Sequence, residues 1–173
     1  PTVTGVGVLS ATGPAAHLVM RNCVIAGNTA DGFGGINAAG GAEAVLEDVR
    51  YTGNHGEYSL GFTFAARSAA TLRRCVLTGN HAVGALGGIS VQRSNVVIED
   101  CEISNNFTGQ DFGAAVAVLD SATFSARNCV ITGNTTEGPV GGVVVAGMAD
   151  ASFTECTIDH NTAAGAVGGV GVF

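Results

Sequence analysis

The sequence predicts an all-β chain wound as a solenoid: a parallel β-helix of about six coils, each of 26–28 residues with three short strands. Three observations predict it. The chain repeats itself six times, apolar residues alternate with period two inside each repeat, and charge alternates in sign from one repeat to the next.

The repeat is anchored on asparagine. Asn28, Asn54, Asn80, Asn106, Asn134 and Asn161 are spaced 26, 26, 26, 28 and 27 residues apart. Five places before each stands Cys23, Val49, Cys75, Cys101, Cys129 or Cys156. Three places before each stands Ile25, Tyr51, Leu77, Ile103, Ile131 or Ile158. Six or seven places after come Gly34, Gly61, Gly87, Gly113, Gly141 and Gly168, most of them followed by Gly or Ala and then by β-branched residues.

Each repeat holds three candidate strands: one before the Cys position (VVI, 96–98), one at it (CVI, 129–131) and one after the glycines (GGVVV, 141–145). Their alternation has the period of a strand, and no segment carries helical spacing over three turns. Strands this short, repeated at this interval, stack as coils about 4.8 Å apart. Six coils then give a rod of roughly 30 Å.

Two further patterns fit such stacking. Two residues before the Cys position the chain reads Arg21, Glu47, Arg73, Glu99, Arg127 and then Thr154, as neighbours in an in-register column should. An exposed pair of this kind contributes ~0.2–1 kcal/mol. Inward volumes also compensate: Ala44/Leu46, Ala70/Leu72 and Ala151/Phe153 run small then large, whereas Phe124/Ala126 runs large then small. One filled core explains the exchange.

Composition narrows the classes. The chain has 173 residues, 46% of them hydrophobic and 12% charged, which excludes disorder, and 27 Gly against 3 Pro favour tight turns. A net charge of −7 provides no basic surface for a phosphate backbone, so nucleic acid is not an expected partner. No apolar run approaches the ~20 residues of a membrane-spanning helix, and direct membrane insertion is not expected. The opening TGVGVL (4–9) resembles the closing GGVGVF (168–173). We expect residues 1–173 to be a single β-helix segment of a longer array, with a partial coil over 1–16 and coils beginning near 17, 43, 70, 96, 123 and 151.

The residues that look chemical have structural roles in this arrangement. Stacked Asn28, Asn54, Asn80, Asn106, Asn134 and Asn161 form an internal amide ladder that meets no substrate. The column of Cys23, Val49, Cys75, Cys101, Cys129 and Cys156 reads as small buried hydrophobes, with parallel Cβ vectors poorly aimed for disulfides and no convergence for a metal. Arg21, Glu47, Arg73, Glu99 and Arg127 form a surface charge ladder. Asp31, Glu57, Asp111 and Glu137 lie in loops after the Asn, and His55 stacks beside His81; both groups read as solvated loop residues. The glycine pairs lack the Lys-Ser/Thr and the helix of a phosphate loop. Asn106 and Asn134 head N-x-T sequons, yet ladder positions are buried and disfavour glycosylation. No catalytic residue, cofactor or metal is expected. The outward face of the strand after the glycines, with Val116 and Val144, suits packing against another chain; in the fourth coil either Val116/Val118 or Ala115/Ala117 faces inward.

The pattern I/L-x-x-N followed by G-G-I/V resembles the tandem repeats of the polymorphic outer membrane proteins, within the wider pectin-lyase-like right-handed β-helices. The resemblance spans nearly all of residues 17–173, with Ile, Leu or Tyr where that family prefers Phe and with Cys two residues earlier. It implies a right-handed coil, in keeping with the crossover rule, and a large extracellular or cell-surface protein in which the β-helix is a rigid stalk or adhesive surface. Expected partners are other segments of the same chain, neighbouring surface or fibre proteins, and glycans. Two alternatives stand beside this non-catalytic reading. One is a carbohydrate-active lyase or hydrolase, which needs acids flanking a scissile bond. The other is an ice binder, for which Ala26, Thr52, Thr78, Ser104, Thr132 and Asp159 make one partial column beside Val24, Arg50, Val76, Glu102, Val130 and Thr157.

Overall fold

A computed structural model describes residues 2–3, 7–32, 34–57, 61–84, 87–109 and 115–173. Among these residues every element is a strand, and every strand pairs in parallel with its equivalent in the next coil. Four sheets result. The first stacks five-residue strands: His17–Arg21, Glu43–Glu47, Ala69–Arg73, Asn95–Glu99, Thr123–Arg127 and Asp150–Thr154. The second stacks three-residue strands: Val24–Ala26, Arg50–Thr52, Val76–Thr78, Glu102–Ser104, Val130–Thr132 and Thr157–Asp159. The fourth runs from Gly7–Thr12 through Gly34–Ala39, Phe62–Ala65, Ile89–Gln92, Val116–Leu119 and Val143–Ala146 to Val170–Val172.

The sheet between them adds a fourth strand to the coil. Two-residue strands follow each ladder Asn: Thr29–Ala30, His55–Gly56, His81–Ala82, Phe107–Thr108, Thr135–Thr136 and Thr162–Ala163, with Thr2–Val3 alongside the first. In each of the six the first residue points outward and the second inward. Two residues are too few to display an alternation, which is why periodicity does not reveal them.

Two of the corners in each coil turn on a single left-handed residue. Asn22, Asp48, Arg74, Asp100, Asn128 and Glu155, each directly before the Cys position, have φ between 50° and 57°. Gly27, Gly53, Gly79, Asn105, Gly133 and His160, each directly before the ladder Asn, have φ between 51° and 66°. A left-handed residue breaks the strand's alternation, so the residue after it turns into the interior. Gly, Asn and Asp accept this conformation readily; Arg74, Glu155 and His160 hold it at a cost of roughly 1–2 kcal/mol each.

One core fills the tube. Leu46, Leu72 and Ile98 stack on one column, and Tyr51, Leu77, Ile103 and Ile131 on another, all fully buried. Phe124 and Phe153 lie in adjacent coils with ring centroids 5.7 Å apart, each beside the Ala that makes room for it: Ala126 in one coil, Ala151 in the next. Tyr51 fills the space Ile or Leu takes elsewhere and meets Phe62 edge-on at 5.4 Å. Its hydroxyl is the one buried side-chain N or O atom without a hydrogen-bond partner among the described residues.

Two sequence expectations need correction. Val116 and Val118 both join the core, so they are the inward pair of the fourth coil, and Val116 is no part of an outward face. Val144 does point outward, beside Ala117, but Val140 and Val167 from the preceding loops fold over both, and Ala117, Val140 and Val144 are each 0% exposed. The proposed packing surface is thus covered by the chain's own loops. Register also moves Gly61 out of the row of Gly34, Gly87, Gly141 and Gly168. Pairing of Ile36 with Phe62 and of Phe62 with Ile89 places it beside Gly35 and Gly88. Loop length varies between coils while the inward Ile and Phe set the pairing. Gly113 lies outside the described residues.

Candidate functional site

The most ordered chemistry in the molecule lies in files parallel to its axis. In the amide file, Nδ2 of Asn28, Asn54, Asn80, Asn106 and Asn134 donates to Oδ1 of the next Asn at 2.9–3.0 Å. That oxygen also accepts the backbone N–H of the preceding coil's Asn at 3.0–3.1 Å. The second Nδ2 hydrogen of Asn54, Asn80, Asn106, Asn134 and Asn161 goes to the carbonyl of Ile25, Tyr51, Leu77, Ile103 and Ile131 respectively. An interior ladder amide therefore uses both donors and accepts twice, which satisfies a group that would be costly to bury unpaired. Asn106 and Asn134 are 1% and 0% exposed, so neither sequon nitrogen is accessible in the folded chain.

The cysteine file sits one residue inside the first corner. All five thiols are free; Cys75, Cys101 and Cys129 are buried, Cys23 and Cys156 half-buried, and Val49 occupies the remaining place. Each thiol lies within 3.1–3.4 Å of the carbonyl two residues before it. These are weak S–H donations that leave the sulfur lone pairs available.

The charge file resolves into discrete pairs. Arg21 Nε donates to Glu47 at 2.7 Å and Arg73 Nε to Glu99 at 2.8 Å. Among the described residues Arg127 makes no pair with Glu99 and instead approaches Glu155 at 3.5 Å. A second file runs beside it, along the corner before the Cys position. There Arg74 reaches back to both oxygens of Asp48 at 2.8 Å, and Asn128 donates to Asp100 at 2.6 Å. The Arg74 guanidinium holds the Asp48 carboxyl below its ordinary range. Sequence reasoning misses this file because two of its six places are Asn; the hint was the recurrence of Asn and Asp, residues tolerant of the left-handed conformation, directly before the Cys position.

The loop acids do not come together. Asp31, Glu57 and Glu137 are exposed and unpaired among the described residues, and Asp111 lies outside them. His55 and His81 stack with ring centroids 4.9 Å apart, and Phe107 extends the stack at 4.4 Å. Burial, and then the neighbouring His55, lowers the His81 pKa. No group of three or more His, Cys, Asp or Glu among the described residues is placed to hold a metal ion. Glu99, Asp100, Arg127, Asn128 and Glu155 line an open polar hollow of about 470 Å³. On the second sheet Ser104 is 1% exposed and donates to Glu102 at 2.6 Å or Thr78 at 2.9 Å, so its hydroxyl is internally engaged.

Comparison with known proteins agrees with the geometry. The family model for the right-handed beta helix region matches residues 3–162. No curated protein and no solved structure matches the chain. Parallel coils in register, four sheets around one core and a match over most of the length lead to one conclusion: this chain belongs to the right-handed β-helix family.

Proposed function

We propose that the chain is a structural and interaction module of a large extracellular or cell-surface protein, acting as a rigid stalk or adhesive surface. Its partners on this reading are further segments of its own chain, neighbouring surface or fibre proteins, and glycans. The observation that carries the reading is the uninterrupted amide file from Asn28 to Asn161, which ties each coil to the next through buried hydrogen bonds. Such a file stiffens a rod and offers nothing to a substrate. The test is antibody labelling and protease shaving of intact cells that make the parent protein. Labelling and release of the rod from the surface is the expected result, and strict retention inside the cell would sink the proposal.

A second reading, a carbohydrate-active enzyme, is favoured by one observation, the polar hollow with three carboxylates and an arginine. Against it, Glu99 is bonded to Arg73, and Arg127 lies against Glu155. Incubation with neutral and acidic polysaccharides, followed by an assay for new chain ends, separates the two. Turnover that disappears in Glu155→Gln would establish the enzyme.

A further inference from the structure

The cysteine file is the ordered feature that a stalk leaves unused. Strand pairing on either side of the file sets Cys75, Cys101, Cys129 and Cys156 in register from one coil to the next. The Cys75 N–H also donates to Cys101 Sγ at 3.4 Å. In-register parallel strands repeat at about 4.8 Å. A disulfide needs Cβ atoms about 3.8 Å apart, so the spacing works against oxidation along the file. It suits a different occupant. Metal–thiolate bonds are about 2.3 Å long, and two of them laid end to end span about 4.6 Å, close to the coil repeat.

A row of ligands along an axis cannot build a tetrahedral or octahedral cage, but a two-coordinate ion needs only one ligand on each side. Soft thiolates suit Cu(I), Zn and Fe–S clusters, and since zinc and the clusters require four-ligand sets, two facing thiolates leave Cu(I). One ion above and another below the same sulfur would force its two metal bonds into a straight line, which sulfur resists, so each thiol serves one ion. Val49 leaves Cys23 about two coil repeats, roughly 10 Å, from Cys75, too far to share an ion with it.

We propose that Cys75 with Cys101, and Cys129 with Cys156, each hold one two-coordinate Cu(I) ion between adjacent coils. Binding one ion forms two S–Cu bonds and releases two thiol protons to solvent, with no change of oxidation state. The resulting bis-thiolate carries one negative charge, and the Cys75 N–H that already meets Cys101 Sγ lies on the side where that charge develops.

Anaerobic titration of the folded chain with Cu(I), in competition with a chromophoric Cu(I) chelator, tests this by stoichiometry. Two ions per chain are expected. Cys23→Ser should still bind two, Cys101→Ser one, and Val49→Cys, which completes a file of six thiols, three. Far-ultraviolet circular dichroism checks that each variant is folded; if Cys101→Ser is not, the contrast between Cys23→Ser and Val49→Cys decides. Equal losses in Cys23→Ser and Cys101→Ser, the same uptake by the urea-unfolded chain, or no uptake by the folded chain would each overturn the proposal.

Discussion

Asn80 donates twice to the same oxygen of Asn106, through its side-chain amide at 2.9 Å and its backbone N–H at 3.1 Å. One side chain thereby satisfies two buried donors of the preceding coil. Replacing Asn106 by Leu leaves both donors unpaired and also vacates the acceptor at Leu77. Each buried unsatisfied group costs about 1–3 kcal/mol, so a loss of about 3–5 kcal/mol is expected. Asn28→Leu, at a half-buried place that only donates, should cost clearly less. Urea midpoints measured on both variants check the gradient.

Strong acid should weaken the corner pair. The Asp48 carboxyl is held below its ordinary value of 3.8 by Arg74, so the folded state binds fewer protons there than the unfolded one. The stabilisation is complete above pH 3.8 and disappears as pH falls through the lower, folded value. Asp48→Asn keeps a side chain that tolerates the left-handed corner and removes the charge. Thermal melting of the two proteins should differ near neutral pH and converge in acid.

His81 gives a second pH dependence in a separate window. Burial and the adjacent His55 lower its pKa from 6.5, so stability is lost as pH drops below 6.5 through the folded value. His81→Phe continues the stack from Phe107 without a proton to bind. That variant should flatten the pH dependence of melting across this window, and an NMR titration of wild type should find His81 more acidic than a free imidazole.

Glycines of the same coil should differ sharply in their tolerance of alanine. Gly53 has φ 61° and open space where a Cβ would go, so Gly53→Ala should cost only the left-handed penalty of roughly 1–2 kcal/mol. Gly53→Asn should cost less, since Asn105 occupies the equivalent corner two coils on. Gly61 has φ 114°, and a Cβ there runs into the backbone carbonyl of Gly88. Gly61→Ala should therefore be the most damaging of the three, read as the largest fall in melting temperature.

Phe124 and Phe153 should be coupled. Phe124→Ala removes a buried core ring at a cost of about 3–5 kcal/mol, Phe153→Ala removes a half-buried one and should cost less, and because the rings meet across adjacent coils the double variant should cost less than the sum. Denaturant midpoints of the four proteins complete the cycle.

The coil, its inward columns and its ladder Asn are legible in the sequence because stacking makes each of those positions repeat one requirement. Asn134 recurs for the same reason Ile131 does. What repeats only as geometry stays hidden. The corner before the Cys position carries Asn, Asp, Arg and Glu; its Asn and Asp hint at a left-handed turn, but nothing in those letters states that Arg74 reaches backward while Arg73 reaches forward. The cover over Val144 is hidden too, since Val140 and Val167 belong to loops of irregular length whose path no period encodes.

The paired charges also set a rule for how such a rod can change length. Arg21 with Glu47 and Arg73 with Glu99 alternate along one file, and Asp48, Arg74 and Asp100 along its neighbour. Excising a single internal coil brings Arg21 against Arg73, or Asp48 against Asp100, like charge on like. Excising two coils keeps opposite charges adjacent along the first file, Arg21 meeting Glu99 or Glu47 meeting Arg127, and brings no like charges together along the second. The charges thus give the solenoid an even parity: over this stretch duplication and deletion are tolerated in steps of two coils, although the amide ladder and the core would accept steps of one.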